Sequence, residues 1–362
     1  MTMEPDSTLL RRFPLVARPR PIAGPLAARV DDLCALAERA AREHDRAAAS
    51  AVYNQAALLA SDCGQPDLAR RWCHEHAAAY LQAVPLDGRA ARHALEPLVN
   101  LARLHIRDRD ADTALHLVTS LFEAVSSRRD AVIDGQALPA SRLTRGEDDH
   151  REVRQWLWSV LVAEGARALA GAARWSEAFA HLERHRGIGQ RMLDGRQVAV
   201  IAHVTAGDLE SARALVAGTA RGEPWEEVVT DCLAYLCDRS SRANLDLALE
   251  GYLGLRPAQG LPVFETRLGL TLIDASLVAN QRTLPMLPSE VLARAVVSGD
   301  AYAAREVLQH EGLMAAVDGR HTTQLRNTVS ASGLILVSLP FWSRKRIDGI
   351  LDACRAAITE TW

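Results

Sequence analysis

The residues best suited to chemistry stand together at Cys73-His74-Glu75-His76. Thiolate sulfur and imidazole nitrogen are zinc ligands, and a zinc site needs three or four such atoms converging on one point. On a helix, Cys73 and His76 share a face at i, i+3, whereas His74 and Glu75 are rotated away. Completing a site would call on Cys63 or Cys34 from a neighbouring helix. The expected arrangement is the plainer one, a buried Cys73 with His76 at the edge of the core, and neither metal nor cofactor is assigned. If the chain carries a catalytic group, Cys73, His74 and His76 are the candidates.

Other reactive types lack partners. His93, His105 and His203 lie in helical stretches with no identifiable acid or base beside them, and general acid–base work needs geometry as well as pKa. Ser332-Gly333 lacks the flanks of a nucleophile elbow. Gly187-Ile188-Gly189 is too short for a phosphate loop and follows no strand. Glu147, Asp148 and Asp149 fit a helix start, where carboxylates complement the dipole. Binding chemistry is better represented. Asn54 in AVYNQAALLA, Asn100 and Arg103 in PLVNLARLHI, and Asn280 in LVANQRTL interrupt apolar helix faces. Asn is a weak helix former, so its use there implies a side-chain task. Its amide donates and accepts at once, and Arg grips a carboxylate with two N–H groups. Such residues either hold a ligand or tie adjacent helices together.

The elements that must position these groups are helices. Hydrophobic residues make up 48% of the 362-residue chain, aromatics only 5%, and Ala, Leu and Arg dominate. Ala and Leu are strong helix formers. Residues 1–24 form an extended Pro/Arg tail, because Pro14, Pro19 and Pro21 forbid a regular helix. Helical periodicity starts at Pro25 with Val30, Leu33, Cys34 and Ala37 on one face. Residues 25–129 read as N-terminal helical repeats, 130–147 as a linker with Gly135, Pro139 and Gly146, and 148–362 as C-terminal helical repeats. The only stretch resembling a strand is Ser332 to Leu339, which a buried helix end explains equally well.

Composition excludes some partners. Lys345 is the only lysine among 42 Lys+Arg residues, and these face 45 acids for a net charge of −3. A nucleic-acid binder shows a clustered basic surface, and no long basic run exists here. Gly333 to Leu339, the longest apolar run near the end, is far short of the ~20 residues of a membrane span. The six cysteines form no CxxC pair and no signal peptide precedes them, so they are expected to be thiols in a cytoplasmic protein. Neither nucleic acid nor membrane is expected as a partner.

A turn recurs in which a small or polar residue precedes an alanine by five positions: Gly64/Ala69, Arg109/Ala114, Ala173/Ala178, Gly207/Ala212 and Gly299/Ala304. Three of these read Gly-(x)4-Ala-Arg, in GQPDLAR, GDLESAR and GDAYAAR. The alanine falls one turn into the new helix, where a small side chain lets it approach the preceding one. Ala173 and Gly207 are 34 residues apart, the tetratricopeptide period, although the other intervals are unequal. The chain therefore resembles tetratricopeptide-like proteins in degenerate form, with ARWSEAFAHL around Trp175, Ala178 and Phe179 the nearest match. That resemblance implies an all-α fold, an α-α superhelix of antiparallel helix pairs. In such clamps, inner-groove Asn and Arg hold an extended peptide, which would make Asn54, Asn100, Arg103 and Asn280 peptide-binding residues. Residues 54–81 also resemble the opening repeats of helical proteins from high-GC actinobacteria that accompany enzymes modifying ribosomally made peptides, including lanthipeptides. The expected function is a protein- or peptide-binding scaffold working with separate partner proteins. The alternatives are an enzyme or essential component of lanthipeptide-type peptide modification, such as a cyclase, and a regulatory sensor module.

Overall fold

Left-handed turns organise the chain. In the computed structural model, which describes residues 9–279, 286–315 and 317–360, all five turn positions have positive φ: Gly64 71°, Arg109 61°, Ala173 58°, Gly207 79° and Gly299 62°. Each of these residues closes the helix before it with a backbone N–H, as Gly64 does to Ser61 and Gly207 to Val204. At the first four turns the next N–H reaches back five residues, as Gln65 N does to the Ala60 carbonyl, completing a Schellman-type cap. Asp110, Asp208 and Asp300 then cap the new helix, accepting from the N–H of Thr113, Ser211 and Tyr302. All five alanines, Ala69, Ala114, Ala178, Ala212 and Ala304, are buried.

The result is an all-helical protein whose neighbouring helices pack together. The chain divides into two units. One comprises Pro25–Ala168 and Gly333–Trp362. It contains α1 (Leu26–Glu43), α2 (Arg46–Asp62), α3 (Pro66–Leu81), α4 (Gly88–Arg107), α5 (Ala111–Ser127), most of α6 (Glu147–Gly171) and, after the long excursion of the chain, α17 (Phe341–Thr359). The last helix lies against α1, α2 and α3, and the Tyr53 hydroxyl donates to the Leu351 carbonyl at 3.1 Å. The other unit comprises Met1–Gly24 and Leu169–Ser332. It holds α7 (Trp175–Arg184), α8 (Asp194–Thr205), α9 (Leu209–Ala217), α10 (Pro224–Cys237), α11 (Arg242–Gly254), α12 (Pro262–Val278), α13 (Met286–Ser298), α14 (Ala301–Leu308), α15 (Glu311–Met314) and α16 (Gly319–Ser332). No helix of the described residues is long and apolar enough to cross a membrane.

Two expectations are corrected. Residues 130–147, expected as a linker, lie within one unit, and the division of the chain falls inside α6. They carry an antiparallel hairpin of β1 (Ala131–Ile133) and β2 (Gln136–Leu138), with Val132 opposite Ala137. Asp134 and Gly135 both have positive φ, the requirement of a two-residue hairpin turn, for which Asp-Gly is a preferred pair. Ile133 and Leu138 are buried in the core, so the hairpin is anchored. Ser332 to Leu339 is neither strand nor buried helix end. After Ser332 it is a loop that turns Ile335 and Val337 outward, the latter 87% exposed, and buries Leu339.

That loop rests on the first left-handed turn. A Cβ at Gly64 would stand 2.8 Å from the Leu336 carbonyl oxygen, whereas one at Gly207, with nearly the same φ, would meet nothing within 4 Å. Both Gly64→Ala and Gly207→Ala lose ~1–2 kcal/mol to left-handed backbone strain. Gly64→Ala loses more, because backbone must move as well. Urea denaturation of the two variants measures the difference, and equal losses would remove the proposed support of the loop.

Candidate functional site

The reactive cluster does not converge. Cys73 is buried in the core, and burial pushes its thiol up to about 12. His74 points to the hairpin turn instead, its Nε2 3.1 Å from Asp134 Oδ2, an oxygen it shares with Arg70. His76 is not at the edge of the core but inside it, 1% exposed. Its ring stacks on Tyr53 with centroids 5.0 Å apart, and Tyr80 and then His93 continue the row. Neither His76 nitrogen has a hydrogen-bond partner among the described residues. Burial, helped by His93, pushes its pKa down to about 3. Among the described residues no three His, Cys, Asp or Glu side chains stand together as a metal set.

The expected peptide-binding residues are joined to one another. Asn100 Nδ2 donates to Asn54 Oδ1 at 3.0 Å, and Arg103 donates to Asn100 Oδ1 at 2.9 Å. Arg103 Nε also donates to Glu164 Oε1 at 2.8 Å, and Arg167 takes the other Glu164 oxygen. The relay links α2, α4 and α6, every second helix. Asp62, at the end of α2, does the same work nearby, receiving Arg29 of α1 and Arg107 of α4 at 2.7 Å each. Of the two roles open to Asn54, Asn100 and Arg103, these contacts are those of helix ties. Asn280 lies outside the described residues.

An extended polypeptide is nevertheless held, by a different set of residues, within the 169–332 unit. From Phe13 to Pro25 the backbone is neither helix nor strand. The Gln197 amide, at the start of α8, clamps this segment. Its Oε1 accepts from Leu15 N–H at 2.7 Å and its Nε2 donates to the Leu15 carbonyl at 2.7 Å, while a second Nε2 bond reaches the Met192 carbonyl. One side chain thereby supplies both halves of a backbone pairing. Further along, Arg20 N–H donates to the Gly260 carbonyl, and the Arg20 guanidinium covers the Tyr302 ring at 4.4 Å. Ala23 N–H donates to Asp300 Oδ2, and Ala301 N–H returns a bond to the Ala23 carbonyl, both at 3.0 Å.

Side chains add affinity and sign. Phe13 and Leu15 are buried, an apolar gain of ~1.5–3 kcal/mol each. Arg12 pairs with Asp274 on α12, and Arg18 pairs with Asp194 at 2.6 Å. Asp274 also receives His310 Nε2 at 3.0 Å, while His310 Nδ1 accepts the Leu313 N–H as a helix cap. That bond leaves the ring proton on Nε2. Burial alone would push the Asp274 carboxyl up, but His310 and Arg12 outweigh it and hold it below the usual range.

Sequence reasoning missed Gln197 for a physical reason. Asn disfavours helices and so stands out inside one, whereas Gln is a good helix former and hides in DGRQVAVIAHV. Asp274 had a visible signal, the one charged residue in the mostly apolar run LTLIDASLV. A buried acid of this kind needs a cation, and nothing in the sequence names Arg12, 262 residues away.

His76 supplies a pH test of the core. Its pKa is near 3 in the fold and 6.5 when unfolded, so between those values only the unfolded chain binds the proton. Its stabilising contribution is therefore full above pH 6.5 and falls as pH drops toward 3, by at most ~1.4 kcal/mol per pH unit. Urea midpoints at pH 7.5, 6.5 and 5.5 should fall less steeply in His76→Phe, which keeps the stack on Tyr53 without a titratable nitrogen. Parallel curves for the two proteins would show that His76 is not the buried neutral group. The site is read from its own geometry alone, since the chain matches no family model, no curated protein and no solved structure.

Proposed function

We propose that this chain is a protein- or peptide-binding helical-repeat scaffold that works with separate partner proteins. The observation that carries this is the Gln197 clamp on Leu15. A side-chain amide bonded to both the N–H and the carbonyl of one extended residue is the chemistry of peptide recognition, since it reads backbone rather than sequence. Around it stand the other components of a peptide site: two buried apolar anchors, Phe13 and Leu15, and acids paired with arginines. The separate fates of Cys73, His74 and His76 give a catalytic reading no comparable constellation.

The five left-handed turns with their buried alanines support a finer reading, a degenerate tetratricopeptide-like array of helix pairs. In that reading the ties from Asn54 to Glu164 hold successive pairs in register.

Selection from displayed random peptides and protein fragments against the immobilised full-length protein tests the proposal, followed by calorimetry of the selected binders. Saturable one-to-one binding is expected, at about micromolar Kd or ~8 kcal/mol. If folded protein returns nothing above background from either library, the scaffold reading is wrong.

A further inference from the structure

We infer that the surface formed by α8, α12 and α14 is a docking site for an extended, arginine-bearing apolar peptide supplied in trans, and that residues 12–23 are its displaceable occupant in cis. The inference rests on the scaffold reading and names the partner class of that site. Gln197 and Asp300 are fully buried polar groups, and Asp274 is nearly so. Their partners in the segment are the backbone of Leu15, the backbone of Ala23 and the side chain of Arg12. Two of these three contacts are to backbone, so any extended chain in the same register can make them.

Charge then narrows the class. The ionised groups meeting the segment's cations are Asp274 at Arg12 and Asp194 at Arg18, with the Tyr302 ring under Arg20. All three favour a cation, the ring through its π face. Apolar seats alternate with them at Phe13 and Leu15, two residues apart as an extended strand requires. The matching ligand is therefore Arg-aromatic-x-apolar-x-x-Arg, in which the first arginine meets Asp274. An acidic peptide is excluded by the same carboxylates.

Exposure favours displacement. The Arg18 side chain is 46% exposed, and Pro19, Pro21 and Ile22 lie open to solvent. Between the Leu15 clamp and the Ala23 bond the segment is held at Arg18 and Arg20, and an incoming peptide can start at the exposed residues among them. Because the cis segment is tethered, it competes at an effective concentration on the order of mM. A trans ligand consequently binds the intact protein far more weakly than it binds the vacated surface.

The test uses full-length protein and a fluorescein-labelled synthetic peptide with the native sequence of residues 9–24. In a chain carrying Arg12→Ala and Phe13→Ala, which weakens the tethered copy and changes no side chain of α8, α12 or α14, the peptide should bind at least about tenfold tighter than to the unmodified chain. Replacing Arg12 or Phe13 by Ala in the peptide itself should reverse that gain without touching the protein. If the doubly substituted chain does not fold, Arg18→Ala with Arg20→Ala replaces it. In addition, hydrogen exchange of residues 12–23 in the unmodified chain should speed up under excess unlabelled peptide. A folded variant that binds the native and a scrambled peptide equally overturns the inference. So does a dimer of the unmodified chain that the peptide dissolves, since the occupant would then be a second copy. Failure here with library binders found elsewhere on the chain leaves the scaffold reading standing, whereas failure of both removes it.

Discussion

Close approach of helices at a buried alanine is the constraint on which the rest of this protein depends. A helix that begins just after a left-handed residue and packs on its predecessor has a buried position about one turn in, where a small side chain lets the two approach. Ala69, Ala114, Ala212 and Ala304 occupy that place. A larger side chain there would push the pair apart, and overpacking of this kind costs about 1–3 kcal/mol. The left-handed residue and the alanine are therefore one device. One reverses the chain and the other lets the reversed chain pack.

Tight packing has a second consequence, because it leaves little room for water. Polar side chains inside must find protein partners, and this protein solves the requirement in two ways. In the 25–168 unit the partners are other helices: Asn54, Asn100, Arg103 and Glu164 satisfy one another, and Asp62 gathers Arg29 and Arg107. In the 169–332 unit the partners of Gln197, Asp274 and Asp300 include an extended stretch of chain. Helix ties of the first kind are fixed by the fold. The second kind leave a backbone-reading surface whose satisfaction depends on a segment with no secondary structure of its own. His76 departs from both solutions. Its nitrogens have no partner among the described residues, and it is kept neutral by burial between Tyr53 and its neighbours.

Much of this was legible in the sequence, and what was not has identifiable causes. The recurrent turn and its alanine could be read directly, because backbone handedness and side-chain size are local properties. The hairpin was also written locally, in the Asp134-Gly135 pair of VIDGQAL, but Gly135 and Pro139 read as the punctuation of a linker. The roles of Asn54, Asn100 and Arg103 could not be decided from residue type, since an amide or guanidinium suited to a ligand is equally suited to the next helix. Gln197 was hidden by its own helix propensity. The pairing of Arg12 with Asp274 and the return of α17 to the first helices are long-range contacts, and neither periodicity nor spacing encodes which distant residues meet.

Asp274 decides what can occupy the surface beside it. Buried ions are tolerated only when paired, and stripping one partner from a buried pair costs ~3–5 kcal/mol. The carboxylate has two partners of different kinds. His310 is a fixed part of the fold, committed through its other nitrogen to capping α15. It supplies a hydrogen bond through Nε2. Arg12 supplies the charge and belongs to the extended segment. When that segment leaves, Asp274 keeps its hydrogen bond and loses its counter-ion, so the surface is destabilised until another cation arrives or the carboxylate takes up a proton. An uncharged or acidic chain that matched every backbone bond of the native segment would leave this deficit in place. The selectivity for arginine at that position therefore comes from the electrostatic cost of its absence, and it is imposed from inside the helical unit.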